Sequence, residues 1–179
     1  MRTLNSGTGI LGLAVVAAAL AAGCATAGGY GSEVVGGAWS APGARLSAYA
    51  SFDALPLPPG AQRPAGPSFA TLEVYGAVAD RLSAVGLGRA ISGTPDLLVA
   101  CWQGGAPVDE GAFGYSAGGV PGSLAVAALP PSTLVVDLVD ARTRALAWRG
   151  AAAGALASPA GLGPALATLL PGWPPPGSF

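Results

Sequence analysis

The sequence predicts one α+β domain, in which about two helices pack on a small mixed or antiparallel sheet. Two segments repeat their apolar residues at the spacing of an amphipathic helix, and several others have the apolar patterns of strands. The 29 glycines and 17 prolines of the 179 residues concentrate between those segments. Glycine and proline clusters of this kind indicate long loops.

The first half of the domain contains a strand and a helix. Residues 46–52 alternate well enough for a first strand, and the proline-rich residues 56–67 cannot lie inside a sheet. The helix that follows has Ser68 as its N-cap and Gly86 as its end. Its apolar positions recur at helical spacing; they are Leu72, Val78, Ala79, Leu82 and Val85.

A continuous apolar run over 96–102 predicts a central strand that is covered on both faces. The glycine-rich residues 104–122, with their scattered aromatic side chains, predict a long mobile loop.

A hairpin follows, with strands over Thr133–Val139 and Ala145–Ala152. Asp140 occupies the first position of the turn between these strands, where an aspartate is favoured because its carboxylate accepts hydrogen bonds from the turn backbone. A three-residue loop would pair Leu138 with Leu146, whereas a four-residue loop shifts the register by one and exchanges the two faces. Both registers remain open at this point.

The second helix begins at Ser158-Pro159, a good N-cap and first-turn pair. Its apolar stripe consists of Leu162, Leu166, Leu169 and Leu170. Pro171-Gly172 ends it, and we expect the tail to be extended.

The N-terminus has the layout of a bacterial lipoprotein export signal. Arg2 precedes the apolar residues 10–22, and small residues lead directly to Cys24. The run is shorter than the roughly 20 residues that a membrane-spanning helix needs, and it is typical of secretion. We therefore expect a lipid on the Cys24 sulfur. The alternative is an ordinary cleaved signal followed by a chance cysteine.

The chain then divides into a signal peptide over 1–23, a flexible tether over 24–43 and one domain over 44–179 with a proline-rich tail. Ala25, in place of an aspartate, favours sorting to the outer membrane. We expect the lipid to hold the protein at the periplasmic face of that membrane.

Composition excludes several functions. The formal net charge is -1 and no basic patch exists, so we expect no nucleic-acid partner. The chain has no histidine, and lipidation leaves one cysteine, Cys101, so we expect neither metal nor cofactor. Cys101 is predicted to be a small buried hydrophobe on the central strand. Asp109 and Glu110 are predicted to lie in a solvated loop.

Residues 114–118, Gly-Tyr-Ser-Ala-Gly, match the nucleophile-elbow pattern of α/β-hydrolases. That motif needs a preceding strand, a following helix and a base for the serine. Since the chain contains neither histidine nor lysine, we interpret Ser116 as a coincidence and expect no enzymatic activity.

Residues 95–100 (PDLLVA) and 132–150 (STLVVDLVDARTRALAWRG), followed by a short helix and a proline-rich end, resemble a family of bacterial lipoproteins. That family is catalogued as a domain of unknown function (number four-one-three-six). The resemblance spans about residues 46–176 and implies a compact, tethered α+β domain without an assigned activity. The chain departs from the family pattern at Arg144, where a glycine is common, and at Pro95.

Asp137 and Arg149 interrupt apolar strands that lie side by side. They are therefore either exposed or paired with each other, and a ligand-binding role is an alternative. Trp102 and Trp148 are predicted to be core residues. Trp173, in the proline-rich tail, is a candidate for docking or for contact with the membrane interface.

These observations predict a non-enzymatic interaction module of the cell envelope, which meets an unidentified envelope protein. The alternative is a small-ligand or lipid-binding protein with its site under the 104–122 loop.

Overall fold

The computed structural model describes residues 36–56 and 72–175. Within these ranges, six strands form one sheet in the order β1-β6-β5-β4-β2-β3. The strands are β1 Gly36–Ser40, β2 Ser51–Ala54, β3 Gly88–Arg89, β4 Leu97–Gln103, β5 Leu134–Asp140 and β6 Leu146–Ala152. The helices are α1 Leu72–Ala84 and α2 Pro159–Leu169.

The sheet is mixed, which confirms the predicted α+β class. Strands β4, β5, β6 and β1 pair antiparallel, whereas β2 runs parallel to both β4 and β3. The predicted central strand is confirmed, since β4 lies between β5 and β2. Helix α1 lies in the connection between the parallel strands β2 and β3.

Two predicted boundaries at the start of the domain differ from the structure. Residues 46–48 form a 3-10 turn, so the first predicted strand is reduced to β2. Residues 36–40 pair with β6 as an edge strand, and they therefore belong to the sheet and not to the tether predicted over 24–43. Residues 57–71, which include Ser68 and most of the proline-rich connection, lie outside the described residues, as do residues 1–35.

One face of the sheet, the helix face, is covered by α1 and α2. Its cluster includes Leu97, Val99 and Cys101 from β4 together with Leu82 from α1 and Leu166 from α2. The thiol is fully buried, and burial, followed by the negative charge of Asp137, raises its pKa to about 12. Cys101 is thus the buried hydrophobe that the sequence predicts.

Helix α1 ends as predicted at Gly86, which adopts φ +109°. The Gly86 N–H donates to the Ser83 carbonyl at 3.1 Å, and the Leu87 N–H donates to the Leu82 carbonyl at 3.1 Å. These two bonds form a Schellman motif, in which Leu82 and Leu87 supply the apolar contact. The motif directs the chain straight into β3.

The hairpin adopts the four-residue loop and then a bulge. Asp140 pairs with Ala145 around the loop, and Val139 lies opposite Leu146. Leu138, however, lies opposite Trp148, so Ala147 is an extra residue without a partner. Such a bulge turns two successive side chains to one face. Ala147 and Trp148 accordingly both pack on the helix face.

Trp148 is fully buried and is accommodated by a glycine two residues further along β6. A Cβ on Gly150 would collide with the Trp148 indole and would lie 2.9 Å from Leu169 Cδ1. The glycine is therefore needed for close packing of the indole beneath α2.

The opposite face, the loop face, is covered by residues 104–129, and this segment contains no α-helix. This segment forms 3-10 turns at Glu110–Phe113, Gly122–Leu124 and Val126–Ala128. Phe113 packs edge-on against Trp102, with ring centroids 5.0 Å apart. The predicted loop is therefore folded against the sheet. No helix in the described ranges is long and apolar enough to cross a membrane.

Candidate functional site

The candidate site lies on the loop face, where β5 and β6 place Asp137 opposite Arg149. The guanidinium binds the carboxylate through two parallel hydrogen bonds. Arg149 Nε donates to Oδ1 and Arg149 Nη2 donates to Oδ2, both at 2.6 Å. Asp137 is 0% exposed and Arg149 is 1% exposed. Of the two predicted arrangements, exposed or paired, the structure contains the pair.

Two further donors complete the coordination of Asp137. Trp102 Nε1 donates to Oδ2 at 3.0 Å, and the Tyr115 hydroxyl donates to the same oxygen at 2.6 Å. Four hydrogen bonds from three side chains therefore fix the carboxylate. An ionised carboxylate only accepts hydrogen bonds, and this one has the donors that its burial requires.

Arg149 also connects the sheet to the covering segment. Its Nη2 donates to Glu110 Oε1 at 3.1 Å, and its Nη1 donates to the Leu124 carbonyl at 3.4 Å. Glu110 was predicted to lie in a solvated loop. That prediction is wrong for Glu110, whose side chain is only 23% exposed because it pairs with Arg149. The neighbouring Asp109 caps the 3-10 turn by accepting from the Ala112 N–H at 3.2 Å.

The buried environment fixes the protonation states of Tyr115 and Arg149. Burial, with the charge and hydrogen bond of Asp137, raises the pKa of Tyr115 well above its usual range. Burial alone would lower the pKa of Arg149, but its hydrogen bond and attraction to Asp137, together with Glu110, raise it. At neutral pH the phenol therefore keeps its proton and the guanidinium keeps its charge. Such groups orient their neighbours and do not exchange protons.

A cleft of about 560 Å³ lies beside this network and is lined mainly by residues 107–127 of the covering segment. Its polar lining residues are Glu110, Tyr115, Ser116 and Arg149, and the other lining residues are valine, alanine, glycine and proline. Binding sites for small molecules combine apolar walls with a few fixed polar groups in this way.

Ser116 does not stand on a nucleophile elbow. It forms a short parallel bridge with Ala145, in which its N–H donates to the Arg144 carbonyl at 2.9 Å. Its hydroxyl accepts from the Gly118 N–H at 3.3 Å, and no α-helix follows it in the chain until α2. This backbone bridge fixes one side of the cleft to the start of β6.

The three tryptophans that the sequence singles out do not line the cleft. Trp173 is half-buried and packs against the helix-face cluster, and its buried indole nitrogen has no hydrogen-bond partner among the described residues. Trp102 and Trp148 are core residues, as predicted. Cys24 lies outside the described residues. Within 36–56 and 72–175, no three acidic or cysteine side chains are grouped so that they could hold a metal ion.

No family model, no curated protein and no solved structure matches this chain. The resemblance to the lipoprotein family therefore stays a hypothesis, and the geometry of the cleft is the main structural guide to function.

Three members of the network, Trp102, Glu110 and Tyr115, could not be assigned to it from the sequence. Trp102 was expected to be a core residue. The available signal for the covering segment was a phenylalanine and a tyrosine two positions apart in a glycine-rich stretch, since aromatic side chains in such a loop tend to be buried. Nothing in the sequence connects that segment to Asp137 on β5.

Proposed function

We propose that this chain is an exported, lipid-anchored protein of the cell envelope, and that its domain binds a small molecule without transforming it. The observation that carries the proposal is the cleft of about 560 Å³ that residues 107–127 form beside Arg149. Its volume falls within the range of about 300–1,000 Å³ that is usual for small-molecule sites. The buried network supports a preformed site, because it holds the cleft's polar wall in one arrangement.

The proposed location rests on the sequence. The apolar residues 10–22 followed by Cys24 support export and lipidation, and Ala25 supports the periplasmic face of the outer membrane. Two or more acyl chains on one cysteine anchor a protein firmly. A Cys24→Ser variant is expected to be released into the soluble fraction, whereas the unchanged protein stays with the membranes. If both versions fractionate as soluble, the anchoring proposal fails.

A binding role is favoured over catalysis by the chemistry of the cleft's side chains. The chain has no histidine, and Asp137 is saturated by four hydrogen bonds. The Tyr115 hydroxyl is committed to Asp137 as a donor, and no residue in the described ranges is a partner that would take the Ser116 proton. General acid–base catalysis needs a group poised to exchange a proton, and these groups are not poised in that way.

The test is native mass spectrometry of the protein extracted from its host membranes. We expect a bound small molecule, and a spectrum of the bare chain alone would refute the proposal. Ala127 lines the cleft from an exposed position, so Ala127→Trp is expected to fill the site and remove the bound mass. Ala128 is also exposed but does not line the cleft, and Ala128→Trp serves as the matched control.

A second candidate function is an interaction module that meets another envelope protein. It is favoured by Ile91, which follows the edge strand β3 and is 99% exposed, and by Leu72, which is 67% exposed. Large exposed apolar side chains often mark interaction sites. Cross-linking from position 91 in intact cells is expected to capture one defined partner, and Ile91→Ser is expected to weaken that capture. Failure to capture any protein would count against this second function.

A further inference from the structure

The charges around the cleft do not balance, and this imbalance indicates which ligands it favours. The buried network contains Asp137, Glu110 and Arg149, so one positive charge is shared by two carboxylates. Among the residues that line the cleft, only Glu110 and Arg149 carry a formal charge. One guanidinium against two carboxylates leaves the three contacting groups with a net formal charge of −1.

The two charged groups at the cleft differ in how far a ligand can reach them. The Arg149 side chain is 2% exposed, and its Nε and Nη2 are directed at Asp137. The Glu110 side chain is 23% exposed and makes one contact, at 3.1 Å, with Arg149. A ligand in the cleft therefore meets the carboxylate of Glu110 before it meets the guanidinium. An anionic ligand would be repelled there, whereas a cation would gain a charge-assisted hydrogen bond.

The remaining wall sets the shape of the ligand. Val108, Val120 and Val126 line the cleft, and their side chains offer no hydrogen bonds. A ligand that matches both the Glu110 carboxylate and the valine side chains has a positively charged end and an apolar body. Contacts between the ligand's apolar body and these valines would also exclude water from the Glu110 carboxylate. The attraction between that carboxylate and a cation is stronger when water is excluded.

We propose that the cleft binds an amphipathic amine, with its ammonium group at Glu110 and its apolar body along the three valines. This inference rests on the proposed small-ligand function and specifies the class of ligand. Ser116 also lines the cleft, and its hydroxyl would be a further polar partner for the ammonium.

The experiment compares three probes that share one body and differ in charge: 3-phenylpropylamine, 3-phenylpropan-1-ol and 3-phenylpropionate. Binding to the full-length protein in detergent micelles is measured by isothermal titration calorimetry at pH 7.4. We expect the amine to bind at least tenfold more tightly than the alcohol, which matches the usual strength of a charge-assisted bond. The propionate is expected to bind most weakly.

Variants separate the role of Glu110 from general effects on the fold. Glu110→Gln is expected to remove the tenfold preference for the amine, whereas Glu110→Asp keeps the charge and is expected to keep the preference. The matched control is Asp109→Asn, since Asp109 is adjacent and acidic but does not line the cleft. Circular dichroism melts establish that each variant is folded under the conditions of the titration.

The outcomes distinguish this inference from the proposed function. Equal or tighter binding of the propionate, or an unchanged preference in Glu110→Gln, overturns the amine assignment. If the alcohol and amine then bind equally and Ala127→Trp blocks both, small-ligand binding stands. If no probe binds, the molecule retained from the host decides: a cationic one supports the assignment, and a neutral or anionic one refutes it. If no probe binds and no molecule is retained from the host, both the amine assignment and the proposed small-ligand function are refuted.

Discussion

Asp137→Asn tests whether the buried network stabilises the fold. The substitution keeps the shape of the side chain and removes the negative charge that faces Arg149 at 2.6 Å. Breaking a buried ion pair by changing one partner costs about 3–5 kcal/mol. We expect a loss near the lower limit, about 3 kcal/mol, because Arg149 keeps Glu110 at 3.1 Å and one amide oxygen can still accept from Trp102 and Tyr115.

Urea unfolding followed by tryptophan fluorescence measures this loss. With an m-value of about 1–3 kcal/mol/M, the midpoint is expected to fall by roughly 1–3 M at an unchanged slope. Asp80→Asn is the matched control, since Asp80 is exposed on α1 and a surface change of this kind stays within about 0.5 kcal/mol. If Asp137→Asn costs no more than Asp80→Asn, the network does not contribute to stability as we infer.

A double-mutant cycle with Arg149→Met separates the pair from its surroundings. Arg149→Met leaves the Asp137 carboxylate buried without a cation, and Asp137→Asn leaves Arg149 with Glu110 alone. The double variant contains neither charge of the pair. We therefore expect the double variant to be more stable than the sum of the singles predicts, by about 1–3 kcal/mol. Additive losses would mean that Asp137 and Arg149 act independently in spite of their contact.

Three other predictions concern single positions. Burial, followed by the hydrogen bond to Asp140, raises the pKa of Tyr49 to about 12. Because the pKa is higher in the folded state, the protonated Tyr49 contributes to stability below pH 10, and this contribution is lost as the pH rises from about 10 to 12. Tyr49→Phe should therefore lose less stability over this window in urea titrations, and an unchanged pH profile would contradict the assignment. Gly150→Ala overpacks the core and is expected to cost about 1–3 kcal/mol. In contrast, Gly76→Ala, which has open space on α1, should gain up to about 1 kcal/mol; equal melting shifts for these two variants would exclude this packing account. Arg144 adopts φ 57°, so Arg144→Gly relieves backbone strain, and we expect a higher melting temperature by calorimetry, with a net gain of up to about 1 kcal/mol. A lower melting temperature would show that the arginine side chain compensates for its backbone.

Much of the fold was predictable because the relevant signals are local. Helix α1 ends at Gly86 since a glycine there adopts a positive φ at little cost, and the continuous apolar run of β4 indicates burial on both faces. Asp140 accepts from the Arg142 and Thr143 N–H groups at 3.0 and 2.7 Å, as its position in the turn predicts. Each signal depends on residues within a few positions of one another.

The short edge strands and the hairpin register were not predictable in the same way. Strand β1 contains Gly36 and Gly37, whose composition favours a tether, and it is a strand because β6 offers it a free edge. The register depends on the bulge at Ala147. That bulge places Trp148 beneath α2, in the space that Gly150 leaves open. Both features follow from packing between segments that are distant in sequence.

The candidate site shows the same division. The sequence placed Asp137 and Arg149 on neighbouring strands and left their pairing open. It gave no means of connecting Glu110 and Tyr115 to them, since those residues lie 39 and 22 positions from the partners that they bind. Only the folded covering segment brings them together and opens a cleft beside them.

The amino-acid sequence by itself thus determined the α+β class, the C-terminal ends of both helices and the central strand, and it contains the signal that predicts a lipid on Cys24. The tertiary structure alone decided that Asp137 and Arg149 are buried, that Glu110 shares the guanidinium and that a cleft lies in front of them. The physical reason is range. Caps, turns and apolar periodicity act between near neighbours in the chain, whereas burial and the balance of charge in a cleft depend on every segment that packs around them.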